Sequence, residues 1–146
     1  MSFSFGKRER KRKKSLFTLV EVVVVIVILV TLAGIATPIY MNYVKQGRIS
    51  TAKMQLKLLG EELKNYRINV GQFPSELRGL VENVDGHEKW DGPYMKKIPL
   101  DPWGHEYVYV VPSEHNNPDG FDLSCLGADG QPDGEGENAD INNWDE

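Results

Sequence analysis

The sequence predicts an α+β chain: a long N-terminal helix, apolar first and amphipathic later, packed on a small antiparallel sheet and followed by an acidic, turn-rich C-terminal loop. Three observations carry this expectation. Leu16 to Tyr40 is an apolar run with a single charge, Glu21. Ile49, Ala52, Leu56, Leu59, Leu63 and Tyr66 then recur at alternating intervals of 3 and 4, which sets one apolar stripe on one helix face. Beyond them, Tyr107–Val111 and residues 121–126 alternate or run apolar as strands do, between segments rich in Pro, Gly and Asp.

Residues 1–16 form a basic leader. Seven Lys/Arg lie between Lys7 and Lys14, so residues 1–15 carry +6 and the remainder of the chain, whose total is −4, carries −10. An acidic body argues against a nucleic-acid partner, which needs a basic face. Beside an apolar run the basic head reads as a topology signal that keeps the N-terminus in the cytoplasm and the body outside.

As a helix the 25 residues of the apolar run would span roughly 37 Å, enough to cross a hydrocarbon core of about 30 Å. Their Val/Ile richness favours strand in water, but in lipid a lone strand leaves its backbone unpaired, so helix wins. A cleaved secretory signal is one alternative, with residues 22–33 as its apolar core and Gly34-Ile35-Ala36 as the cut; Glu21, the length and Pro38 count against it. A plain single-pass anchor with Glu21 reaching the interface is another. Tyr40 and Tyr43 suit the outer interfacial belt.

The stalk helix continues over residues 41–67, with Lys57 and Glu61 expected to pair at i,i+4 and Pro38 expected to kink the joined helix. A coiled-coil seam is the alternative use of the stripe. A short helix over 76–83 follows, with Ser75 as N-cap. The sheet is expected within 94–126, with Asp101-Pro102-Trp103-Gly104 as a turn. The lone cysteine, Cys125, excludes an internal disulfide and shares a strand face with Phe121 and Leu123, as a buried structural thiol would. His87, His105 and His115 lack metal-ligand spacing, and no phosphate loop or nucleophile motif is present, so no enzyme is expected.

Residues 129–146 hold seven Asp/Glu and no Lys or Arg. A solvated acidic tail is the plain reading. The twelve residues Asp129 to Asp140 also place Asp at positions 1 and 5 and Gly at 6, as an EF-hand loop does, although position 3 is Gln and a strand precedes. Hard oxygen donors in a turn-rich loop suit Ca²⁺ and not zinc.

Phe17, Thr18, Leu19, Glu21 and Pro38, in LFTLVEVVVVIVILVTLAGIATPIY, resemble in type and spacing the N-terminal segment of type IV pilins and type II secretion pseudopilins. FPSELRGL, KKIPLDPWGHEYVY and the tail LSCLGADGQPDGEGENADINNWDE resemble the major pseudopilins of type II secretion in particular. The resemblance implies a prepilin peptidase that cuts between Leu16 and Phe17 and methylates the new amine. The family normally has Gly before the cut where this chain has Leu16, and a cut after Ser15 is the alternative. It implies a pilin-like fold and assembly through Glu21 and Pro38, with Glu21 of one subunit meeting the Phe17 amine of the next. It implies calcium held by the Leu126 carbonyl, Asp129, a Glu137 backbone oxygen, Asn138 and Asp140; Ala139 stands where relatives often have a second Asp. It implies a single-pass bacterial inner-membrane protein, with residues 17–40 in the membrane and 41–146 in the periplasm. Its partners are copies of itself in a helical homopolymer, minor pseudopilins and the inner-membrane assembly platform. The function implied is a structural subunit of the secretion pseudopilus. A type IV pilin-like fibre subunit and a membrane-anchored calcium-dependent binding module are the alternatives.

Overall fold

The structure, a computed structural model, describes residues 17–115 and 119–145. The leader, including Leu16, and residues 116–118 of the expected hairpin loop lie outside the described residues. The chain divides into two units between Tyr40 and Met41.

Helix α1 spans Leu19–Val70, and its residues up to Tyr40 belong to the first unit. These side chains are exposed: Leu29 is 59% exposed and Ile35 66%. This part of α1 is long and apolar enough to cross a membrane. The hydroxyls of Thr31 and Thr37 are satisfied internally. Thr31 Oγ1 donates to the carbonyls of Val27 and Ile28, and Thr37 Oγ1 donates to that of Ala33. Such back-bonding lets a hydroxyl sit in lipid without an unpaired donor. Pro38 lies inside α1 and can donate no backbone bond.

In the second unit the predicted stripe forms the core. Ala52, Leu56, Leu59, Leu63 and Tyr66 of α1 are buried, and Ile49 is half-buried at the end of the row. They meet Leu80, Tyr107, Phe121, Leu123 and Cys125. Phe73 and Phe121 add an edge-to-face pair at 5.0 Å, and Tyr66 and Tyr94 a tilted pair at 5.4 Å. Lys57 and Glu61 form no ion pair, so the i,i+4 expectation is corrected; both side chains lie in solvent, where such a pair is weakly held.

The sheet is antiparallel in the order β1 (Val108–Val110), β2 (Asp122–Cys125), β3 (Ile141–Asn142). Tyr109 faces Leu123 across β1 and β2, and Cys125 faces Ile141 across β2 and β3. Two corrections follow. Residues 94–107 contribute no strand, because Pro99 and Pro102 deny a ladder its N–H donors. The third strand comes instead from the acidic tail. Central β2 is therefore buried on both faces, Asp122 and Ser124 included, and not on alternate residues only.

The expected helix over 76–83 is a 3₁₀ turn, Leu77–Leu80. Ser75 does not cap it, since its N–H and hydroxyl both donate to the Asp85 carboxylate. Glu76 holds the cap position without a side-chain bond. The Asp101–Gly104 turn forms as expected: Gly104 N–H donates to the Asp101 carbonyl at 3.0 Å, and the Asp101 carboxylate accepts the N–H groups of Trp103 and His105.

Candidate functional site

Two places carry the residues that the sequence marks: the start of α1 and the C-terminal loop. At the start of α1, Thr18 precedes the first helical residue. The Glu21 N–H donates to Thr18 Oγ1 at 3.2 Å. In return the Thr18 N–H and hydroxyl donate to Glu21 Oε2 at 2.8 and 3.0 Å. This reciprocal pattern is a capping box, which satisfies donors that every helix start leaves open. Sequence reasoning gave Glu21 a partner on another chain and missed the one three residues away. The Thr-x-x-Glu spacing ahead of an apolar run was the available signal. Both Thr18 bonds fall on Oε2. Phe17, next to the cap, is 80% exposed.

The C-terminal loop leaves β2 at Leu126 and returns as β3. Its two arms are joined by Ala128 N–H donating to the Glu137 carbonyl at 3.0 Å and by Asp133 N–H donating to Asp140 Oδ2 at 3.0 Å. Asp129 Oδ1 closes a local turn by accepting the Gln131 N–H. Gly127 and Gly134 lie against the Asn138 carbonyl, and a Cβ on either would come within 2.6 Å of that oxygen. The loop is thus wound tightly around the backbone of residue 138.

Two outside contacts position the loop. The Glu137 carboxylate turns away from it, toward α1. It lies 3.6 Å from Lys45 Nζ and 3.3 Å from Arg48 Nη1, and accepts the Trp103 indole N–H at 3.2 Å. The Trp103 bond first, with the two cations, outweighs partial burial and holds this carboxyl below its usual range. On the other arm, His105 Nδ1 sits 3.3 Å from the Gly127 carbonyl, and its ring packs under Gly130.

The donors fit a hard cation. Among the described residues no three His, Cys, Asp or Glu side chains gather as a metal cluster, so carbonyl oxygens would have to complete any site. Asp140 Oδ1 is buried and has no hydrogen-bond partner among the described residues. A buried carboxylate oxygen without a donor calls for a cation or water. The Asp129 and Asp140 carboxylates and the loop's backbone oxygens are donors of the kind calcium would take.

A third cluster escaped the sequence reading. Asp122 on β2 accepts from the Ser113 hydroxyl, from the N–H groups of Glu114 and His115, and pairs with His115 Nδ1 at 2.9 Å. Burial alone would raise this carboxyl; the bonds from Ser113, His115 and the backbone outweigh it and hold it down to about 2. His115 stacks flat on Trp144 at 4.2 Å. The carboxylate stands between hydroxyl and imidazole, so the histidine is not placed to take the serine proton, and the group fastens loop to tail. Cys125 donates to Asp101 Oδ2 at 3.2 Å, and burial pushes its thiol up to about 12, the state of an inert structural cysteine.

Comparison with known proteins follows the same division. The family described as "Type II secretion system (T2SS), protein G" matches residues 39–144. The type II secretion system core protein G of Pseudomonas aeruginosa is 39% identical over 122 residues, covering 78% of this chain and 83% of that protein. The protein of the same description from Vibrio cholerae is 35% identical over 119 residues, covering 77% of this chain and 80% of its own. Among solved structures, the major pseudopilin from the type 2 secretion system of enterohaemorrhagic Escherichia coli superposes with a TM-score of 0.58 at 28% identity, covering 73% of this chain and 94% of that one.

Proposed function

The chain belongs to the type II secretion system protein G family, and from that premise we propose how its residues build and hold a pseudopilus. The protein is a pilin-like pseudopilus subunit with an apolar N-terminal helix suited to membrane anchoring. The finer reading is ours. The basic leader stays in the cytoplasm and the body faces the periplasm. Prepilin peptidase cuts between Leu16 and Phe17, leaving an ammonium four residues ahead of Glu21.

Glu21 then does two jobs. Its Oε2 stays with Thr18 and keeps the helix start capped. Its Oε1 receives the Phe17 ammonium of the adjacent subunit. Two charges that would be strongly unfavourable alone in a low-dielectric setting offset each other there and fix the axial register. Growth of the polymer from the inner membrane, with minor pseudopilins and the assembly platform, drives exported proteins outward. The observation that supports this reading is a lone carboxylate in the first turn of α1, whose apolar residues up to Tyr40 are all exposed.

In the C-terminal loop, Leu126 and Glu137 carbonyls, Asp129 and Asp140 carboxylates and Asn138 would hold Ca²⁺. The unpartnered Asp140 Oδ1 supports this choice. Calcium there supplies a positive charge that ties the loop's two arms, and its binding adds stability by mass action.

The test uses the full chain in its membrane. Mass spectrometry should find a methylated Phe17 at the mature N-terminus, and overproduction should yield filaments. Glu21→Ala should insert and be processed normally yet form few filaments. A retained leader, or normal filament yield from Glu21→Ala, would overturn the assembly mechanism. EDTA should increase protease sensitivity of residues 126–145; unchanged resistance would overturn the calcium reading.

A further inference from the structure

Within the second unit, a groove of about 750 Å³ runs along α1 beside the C-terminal strand. Its α1 wall carries Lys53, Lys57, Lys64 and Arg67, with Glu61 as the single acid. The exposed Ile68, 78% accessible, lies at its end. The opposite wall contributes Asp140 and Asp145, which accept the Asp133 N–H and the Asn142 amide respectively. Arg67 is engaged, donating to the Asp119 carbonyl at 2.8 Å and lying over the Phe73 ring. Lys53, Lys57 and Lys64 are exposed and enter no ion pair among the described residues.

The acids that would match these lysines are in the same unit but go elsewhere. Of the loop carboxylates, Glu137 alone reaches α1, and it does so at Lys45 and Arg48. Asp133 and Glu135 are exposed and unpaired by any cation among the described residues. They sit on a tip held by positive φ at Asp133 (70°), Gly134 (117°) and Gly136 (65°).

We propose that the acidic tip Asp133–Glu135 of one copy docks on the lysine wall Lys53–Lys57–Lys64 of the next. The inference rests on the pseudopilus reading and adds its side contact. Two different, complementary patches on one molecule make a heterologous interface. Such an interface does not pair two-fold as an isologous dimer does, and where the rotation does not close a ring it propagates into a helical polymer. Opposite charge steers the approach, and the contact weakens as salt rises. Exposed ion pairs are individually weak, so each lost contact should lower association about fivefold at most.

The experiment overproduces the full chain in its membrane and scores filament yield, with the unaltered protein as reference. Lys57→Glu with Lys64→Glu, and separately Asp133→Lys with Glu135→Lys, should each cut filament yield severalfold. The combination of all four should restore it. Lys57→Cys with Glu135→Cys should cross-link between copies, while either alone should not; buried Cys125 stays out of reach. Filaments unaffected by either reversal, no rescue by the combination, or disulfides formed only within one chain would overturn the proposal. Intact filaments with blocked export in the lysine variants would also overturn it, in favour of an exported acidic protein as occupant. No filaments even from the unaltered chain would overturn the pseudopilus reading along with it.

Discussion

Gly127→Ala and Gly136→Ala form a matched pair that isolates one contact in the C-terminal loop. Both glycines sit in the left-handed region, at φ +66° and +65°. An alanine there costs roughly 1–2 kcal/mol in conformation, partly offset by about 0.4–1 kcal/mol from a less flexible unfolded chain. Gly136 has open space around its missing Cβ, so that balance is its whole effect, about 0–1.6 kcal/mol. At Gly127 the new Cβ would lie 2.6 Å from both the carbonyl carbon and oxygen of Asn138. Neither is a flexible side-chain end, so backbone must move. Displacing Asn138 also strains the Ala128-to-Glu137 bond beside it. Forced repacking of this kind adds about 1–3 kcal/mol. Melting of the full chain in detergent, followed by tryptophan fluorescence in EDTA, measures the difference. At about 4–8 °C per kcal/mol, Gly127→Ala should melt roughly 5–20 °C below Gly136→Ala. Calcium titration by calorimetry should then show weaker binding for Gly127→Ala alone. Equal melting temperatures for the two variants would refute the claim that the Asn138 carbonyl fills the space at Gly127.

Three other outcomes are expected. Leu59→Ala, fully buried on the stripe, should lose about 2–5 kcal/mol in denaturant titration of the body, while Leu29→Ala, 59% exposed in the chain, should leave that unfolding unchanged. Asp122 has a folded value of about 2 against an ordinary 3.8, so its stabilisation is complete above about pH 4 and drains as pH falls toward 2. Unfolding followed against pH should show a loss of roughly 2 kcal/mol over that window, absent in Asp122→Asn. Glu137→Gln should speed hydrogen exchange both at residues 126–140 and at residues 45–48 of α1; because this carboxyl is held low in the fold, acid should mimic the variant as pH falls through its folded value.

Most of α1 was legible residue by residue, because a 3,4 apolar recurrence has few other physical uses, and every member of the stripe except half-buried Ile49 is fully in the core. The Asp101–Gly104 turn was legible for a similar reason: Asp, Pro and Gly each favour one turn position. β3 was hidden because two residues, Ile141 and Asn142, are too few to show a period, and their strand state comes from pairing with β2 across a 15-residue gap in sequence. The 3₁₀ turn was overread as helix because Ser75 looked like a cap while Asp85, ten residues on, competes for it. At the site, carboxylates in the loop were visible as composition, but the side-chain direction of Glu137 was not. Its partners Trp103, Arg48 and Lys45 lie 34, 89 and 92 positions upstream, beyond the reach of any local pattern.

That separation has a consequence for the newborn subunit. Closing so distant a contact carries a large chain-entropy penalty, so it forms only once the intervening polypeptide has found its place. Lys45 and Arg48 therefore gain the Glu137 carboxylate late, after the polypeptide between them has packed.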